Sequence, residues 1–253
     1  MKRVRYYDSF DDDFEESADQ NFTLPDDYQR VRDDLMYRVL SAVTYAAALV
    51  FGSVYCRLCL HMKIHGRKNL KKADGGYFIY GNHTQPLGDV FTPALCAFPR
   101  RIYTVVSPAN YGIPVIGKIL PYLGALPTAS TLGGMRDFNA ALETRIKSSH
   151  PIVIYPEAHV WEYCSSIRPF PDTSFRFPSK LNCASFAMTS VYKHSRLHRR
   201  PTTHVYIDGP YYPSGNNARE CAASLCEQVR SAMENRATQS DISYIEYKKR
   251  DDS

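Results

Sequence analysis

Two short polar segments of this 253-residue chain carry the residue types of acid–base chemistry. The first is Gly81-Asn82-His83-Thr84-Gln85-Pro86-Leu87-Gly88-Asp89, and the second is Tyr155-Pro156-Glu157-Ala158-His159. A carboxylate that holds one imidazole nitrogen fixes the tautomer, and the other nitrogen can then take a proton from a hydroxyl. His83 and Asp89 form such a pair by type. Their spacing does not set them on one helix face, because six residues advance about 600° and leave them about 120° apart. Pro86 and Gly88 predict a loop between them instead, with Asp89 at the start of the next helix, where negative charge is favoured. Taken alone, a His and an Asp at this spacing are a weak signal, and a structural His that caps a turn is the better reading. Both segments directly follow apolar runs that read as buried strands, Tyr77–Tyr80 and Pro151–Tyr155. Open α/β sheets bind ligands beyond the carboxyl ends of their strands, so two such ends predict one shared site.

The elements that must position these residues follow from the apolar pattern. Further strands are predicted at 102–106, 185–192 and 204–207, and helices near 89–98, 112–122, 134–148 and 215–237. Alternating strands and helices predict an α/β fold with a mixed, largely parallel sheet flanked by helices. Ahead of it, Val39 to Cys56 runs 18 residues without a charge, between Arg38 and Arg57. A bilayer-spanning helix needs about 20 apolar residues, and Ser, Thr and Tyr dilute this stretch. The basic flanks, with Tyr37, Tyr45 and Tyr55 among the apolar residues, suit a helix lying in or dipping into a membrane interface. A buried core helix and an oligomer contact are the alternatives. The predicted organisation is an acidic leader over 1–34, an apolar helix over 35–62 and the α/β body over 63–253.

Composition narrows the classes of function. With 44% hydrophobic and 23% charged residues the chain is globular, not collagen-like, disordered or a disulfide scaffold. A mean hydropathy of −0.37 with one long apolar stretch excludes a polytopic transporter. The net charge of +5 divides unevenly: the leader holds 5 bases against 11 acids, and the remainder 26 bases against 15 acids. A body of net charge +11 favours anionic partners, whether nucleic acid, anionic lipid or phosphorylated small molecules. No helix-turn-helix, zinc-finger or RNP-like pattern supports nucleic acid. The leader lacks apolar periodicity and reads as a solvated tail or as a segment ordered by docking. Seven scattered cysteines predict a reducing compartment, and no secretory signal opens the chain. Cys56-x-x-Cys59 sits in the apolar helical run and reads as packing, as do Cys221 and Cys226.

Asn82-His83 with Asp89, followed some seventy residues later by Tyr155-Pro156-Glu157, resembles the NHxxxxD and FPEG blocks of the PlsC-like glycerophospholipid (lysophosphatidic acid-type) acyltransferases. Tyr122-Leu123-Gly124-Ala125-Leu126-Pro127 falls where that family has its second, glycine-led block, and the resemblance covers roughly residues 60–210. It implies a glycerophosphate acyltransferase-like fold at the cytoplasmic face of a membrane, monotopic or single-span. It implies transfer of an acyl chain from acyl-CoA or acyl carrier protein to a hydroxyl of a lysophospholipid such as 1-acyl-glycerol-3-phosphate. No metal or cofactor is called for. It assigns His83 as general base, Asp89 as the residue that orients it, Asn82 as a brace of the turn and Glu157 as organiser of the acceptor site. Amides near Gly88 or Ala158 are candidate oxyanion donors.

The departures from the family are specific. Five residues separate His83 from Asp89 where the family has four. Thr128–Thr131 occupies the place of an Arg that ends the second block, and Ala158-His159-Val160 replaces Gly-Thr-Arg in the third. Two expected phosphate-binding arginines are thus missing from their places. Arg136, Arg168, Arg176 and Lys180 are the substitutes, with Arg168 and Lys180 preferred, since a bidentate guanidinium suits phosphate. Ile167–Lys180, rich in Pro, Phe and basic residues, reads as the lining of an acyl or headgroup pocket or as a surface loop. The longer gap and the YPEAH block resemble a bacterial subgroup of the family. Two alternatives are a catalytically lapsed, lipid-binding or regulatory protein on the same scaffold and a hydrolase. His159 and Trp161 read as a hydrogen-bonded and a packed residue. Arg196, His198, Arg199 and Arg200 form a basic run between two strands that reads as a solvated loop, within reach of anionic headgroups.

Overall fold

Phe78, Ile79 and Tyr80 are all fully buried, and their alternating side chains feed two separate cores, as a strand covered by helices on both faces requires. The structure is a computed structural model that describes residues 3–14, 22–25 and 27–250. Its strands are β1 (Arg3–Tyr7), β2 (Lys63–His65), β3 (Phe78–Gly81), β4 (Tyr103–Val106), β5 (Ala125–Pro127), β6 (Ile152–Ile154), β7 (Ser185–Lys193), β8 (Thr202–Tyr211) and β9 (Ile245–Lys249). Its helices are α1 (Leu35–Leu58), α2 (Gly88–Ala97), α3 (Ile116–Leu123), α4 (Leu132–Lys147), α5 (Arg176–Leu181) and α6 (Ala218–Ala237). Seven strands form the central sheet in the order β2-β8-β7-β3-β6-β4-β5, parallel except where β7 meets β8. Helices α4, α5 and α6 cover one face, and α1 and α2 the other. The fold is therefore the predicted α/β class with a mixed, largely parallel sheet.

The short elements were not foreseen. β2 and β5 are three residues each, β1 and β9 pair with each other outside the main sheet, and α5 is a single short helix. α3 starts at Ile116, after a 3₁₀ turn over Pro108–Gly112. The segment 167–180 is neither a pocket lining nor a surface loop throughout. Phe170 and Phe175 lie in the core beneath α6.

α1 forms as its charge-free run predicts and is N-capped by Asp34, whose Oδ1 accepts from the Tyr37 amide at 2.8 Å. It is long and apolar enough to cross a membrane, and 17% of its most apolar stretch is buried. Tyr37 and Ser41 donate to the carbonyls of Pro121 and Tyr122, both at 2.7 Å, and Tyr45 accepts from the Ile102 amide. Gly52 lets the helix close on Phe91 of α2, where a Cβ would meet the ring at 2.5 Å. The outer face, including Val39, Val43, Val50, Phe51, Val54 and Leu58, is exposed.

Of the two expectations for the leader, docking describes residues 3–14. β1 adds in parallel to β9, and the rings of Tyr7, Phe10 and Phe14 surround Trp161 at centroid distances of 4.8, 6.0 and 5.3 Å. The acids Glu15, Glu16, Asp19 and Asp26 lie outside the described residues. Cys56 is buried and unoxidised, its thiol pushed up to about 12 by burial, so packing describes it.

Candidate active site

β3 ends at Gly81 and delivers Asn82 and His83 to the carboxyl edge of the sheet. Gly81 is obligatory there because a Cβ would meet the Tyr155 ring at 2.7 Å. The side chain of Asn82 extends the sheet by one rung: its Nδ2 donates to the Ser190 carbonyl at 3.0 Å and its Oδ1 accepts from the Ser190 amide at 2.8 Å. The chain then turns over Pro86 and Leu87 into α2, and Gly88 fits only as glycine, between Leu60 and Gln85. This turn absorbs the fifth residue of the gap. His83 Nδ1 lies 2.8 Å from Asp89 Oδ2, and the same oxygen accepts from the amides of Thr84 and Gln85, both at 2.9 Å. A carboxylate that accepts two amide hydrogens must also accept from the imidazole, so Nδ1 carries the proton and Nε2 is the basic nitrogen. Among the described residues Nε2 takes no hydrogen bond, and the His83 side chain is 20% exposed while Asp89 is 2% exposed.

One tyrosine packs on the imidazole and a second braces the loop that follows it. Tyr155 stacks on His83 at a centroid distance of 4.3 Å and donates its phenol to the Asp89 carbonyl at 2.7 Å. Tyr192 donates to Thr84 Oγ1 at 2.6 Å and accepts from Gln85 Nε2 at 3.1 Å. Burial, with the Asp89 carboxylate second, pushes both phenols well above the usual tyrosine range, so both stay protonated as donors.

β6 delivers the second segment to the same edge, beside β3. Glu157 does not face the opening; it is buried, and its Oε2 accepts from the His83 amide at 3.0 Å. Arg168 is its partner. The Arg168 amide donates to Glu157 Oε1 at 2.9 Å and Nη2 to Oε2 at 3.0 Å, with side chains 1% and 0% exposed. Arg168 Nη2 also donates to the His159 carbonyl, and its guanidinium lies 4.8 Å over the Trp161 ring. The expectation that Arg168 takes a substrate phosphate is therefore corrected: its charge is held by Glu157 and closed off from solvent. Lys180 is corrected too. It is exposed on the last turn of α5, where its charge acts on Glu143 of α4, and α5 leads into the start of β7, the sheet edge opposite His83.

His159 pairs with Asp13 at 3.3 Å, and Trp161 is buried, its amide donating to the His83 carbonyl at 3.0 Å and its indole to the Asp12 carbonyl at 2.9 Å. Of the candidate oxyanion donors, the Ala158 amide is occupied by the Tyr155 carbonyl at 3.2 Å. One basic residue on this edge was missed. Arg30 reaches from the leader to the end of β5, its Nε donating to the Pro127 carbonyl at 3.0 Å and Nη2 to the Thr128 carbonyl at 3.5 Å. No local signal marks it, since 97 residues separate it from Pro127.

The sheet order, the helix layers and a polar pair at the carboxyl edge define an α/β protein of the glycerophosphate acyltransferase fold. The chain superposes on the crystal structure of the 1-acyl-sn-glycerophosphate (LPA) acyltransferase PlsC from Thermotoga maritima with a TM-score of 0.58, over 84% of this chain and 86% of that chain, at 14% sequence identity. At that identity the likeness is one of fold. No protein-family profile and no curated protein matches the sequence.

Breaking a buried ion pair by removing one partner costs about 3–5 kcal/mol. Arg168→Ala should therefore lower the unfolding free energy by an amount of that order, read as a fall in the urea midpoint at unchanged slope, and Arg168→Met with Glu157→Gln should recover part of it. A single variant as stable as the parent would mean that Glu157 does not depend on Arg168.

Proposed function

We propose that the chain is a membrane-associated acyltransferase that acylates a hydroxyl of a lysophospholipid. The observation that carries this reading is the 2.8 Å His83–Asp89 pair, solvent-accessible on the imidazole side only, at the carboxyl edge of a PlsC-like fold. His83 Nε2 takes the acceptor hydroxyl proton as the oxygen attacks the thioester carbonyl of acyl-CoA or acyl carrier protein. The tetrahedral oxyanion collapses, the C–S bond breaks, and the thiolate takes the proton back from the imidazolium. The Asp89 carboxylate stabilises that imidazolium and keeps Nε2 aimed outward. The chemistry needs no metal and no covalent enzyme intermediate.

α1 supports a membrane setting. At 24 residues it is about 36 Å long, and hydrogen bonds near its start and the Gly52–Phe91 contact further along tie it to the body. A helix held in this way lies along a membrane surface with its apolar face down, rather than crossing it. Leu87 and Val90 of the α2 entrance are exposed on the same edge as His83, so acyl chains reach the site from the apolar side. Free thiols in all seven cysteines fit the cytoplasmic leaflet.

Arg30 sits at the Pro127 and Thr128 carbonyls, next to the segment where the resemblance expects the second-block arginine, and we assign it the acceptor phosphate. Labelled acyl-CoA and acyl carrier protein, tested on a lysophospholipid panel, decide the activity. His83→Ala should lower acyl transfer by about 1,000-fold or more with the fold retained. Retention of most activity would contradict the assignment, and an inactive parent would favour a lapsed scaffold. In the same assay Arg30→Gln should raise KM for the phosphate-bearing acceptor about 10-fold and leave kcat within a few-fold. An unchanged KM would remove Arg30 from the acceptor site.

A further inference from the structure

The connection between β7 and β8 carries a concentrated charge that the proposed chemistry does not use. Lys193 pairs with Thr202 at the last rung of the hairpin, and the tip between them reads His194-Ser195-Arg196-Leu197-His198-Arg199-Arg200-Pro201. His194, Arg196, Leu197, His198, Arg199 and Arg200 are all exposed, and Leu197 is 89% exposed. The tip has a definite shape: Ser195 Oγ accepts from the amides of Leu197 at 3.3 Å and His198 at 3.1 Å. Asp241 meets it, its carboxylate accepting from the His194 amide at 2.6 Å.

Its place in the fold matters more than its charge. β7 runs parallel to β3, so the hairpin leaves the sheet at the edge that carries His83. It also reaches the carboxyl end of α1. The Thr203 amide donates to the Leu60 carbonyl at 3.1 Å, and the His198 ring stacks on His61 at a centroid distance of 3.4 Å. Arg57 and Leu58 of α1 are exposed at this corner. An apolar helix face, a basic rim and a projecting leucine thus share one edge with the site opening. A bilayer of anionic lipid has the complementary order, apolar interior under a negative surface.

We propose that this hairpin tip is an electrostatic membrane contact that binds anionic headgroups and seats the His83 edge on the bilayer. The inference rests on the membrane-facing site proposed above, but its test does not require turnover. The 3₁₀ segment Arg67–Lys72 supplies the control. β2 is parallel to β8, so Lys68, Lys71 and Lys72 lie exposed at the opposite sheet edge.

Full-length protein is to be partitioned onto phosphatidylcholine vesicles with and without about 30 mol% phosphatidylglycerol, at low and high salt. The parent should prefer the anionic vesicles at low salt and lose that preference at high salt. Each basic residue near an anionic surface contributes about fivefold in affinity, so Arg196→Gln, Arg199→Gln and Arg200→Gln together should weaken anionic-vesicle binding about 100-fold. The combined Lys68→Gln, Lys71→Gln and Lys72→Gln variant removes the same charge and should stay within about twofold of the parent. Equal losses in the two variants would show that net charge acts rather than place, and would overturn the proposal. So would unchanged binding in the arginine variant, or salt-sensitive binding of the parent to RNA with no preference for anionic vesicles. Unchanged thermal melting excludes misfolding. Acyl transfer to a detergent-solubilised acceptor, which reads His83 alone, separates failure of the hairpin from failure of the catalytic reading.

Discussion

One carboxylate oxygen, Asp89 Oδ2, accepts from two backbone amides and one imidazole nitrogen. With Asp89 2% exposed, these donors replace the water that would otherwise stabilise the charge. The two amides belong to Thr84 and Gln85, which directly follow His83. The conformation of the loop and the orientation of the imidazole are therefore a single constraint. The chain cannot relax one without breaking the other. Gly88 and the Pro86–Leu87 turn make the longer gap compatible with that constraint, which is why a fifth intervening residue does not separate the pair.

A second constraint acts from behind. Glu157 fixes the His83 amide, Trp161 fixes the His83 carbonyl, and Arg168 neutralises Glu157 where neither can reach solvent. The acidic leader enters through the same residues, since the carbonyls of Phe10 and Asp12 accept from Arg168 and Trp161. A segment with no apolar periodicity thus closes over the support of the site by lending backbone acceptors and three aromatic rings.

The strands beside the site and the helices that follow them were legible because their apolar runs are longer than the turns around them. So was the meeting of the two polar segments, since both end adjacent parallel strands. The three-residue strands β2 and β5 carry too little pattern to be read alone. Arg168 was misjudged because type suggests phosphate binding, whereas its role is set by the buried Glu157, eleven residues away in sequence and adjacent only in the fold. Lys180 failed for the converse reason: chain proximity to the motif does not fix the sheet edge. Arg30 was invisible because its neighbours at the end of β5 are distant in sequence.

The exposed face of α1, the apolar entrance of α2 and the basic hairpin tip are each unremarkable surface features by themselves. Their shared edge gives them meaning, and that edge is defined by His83. What that edge can do therefore depends on the state of one imidazole. Nitrogen-15 chemical shifts of His83 in the full-length protein at neutral pH measure it directly. The geometry predicts that the neutral form of the ring carries its proton on Nδ1, with Nε2 bare, and that Asp89→Ala loses that preference. A ring protonated at Nε2, or a tautomer indifferent to Asp89, would contradict it.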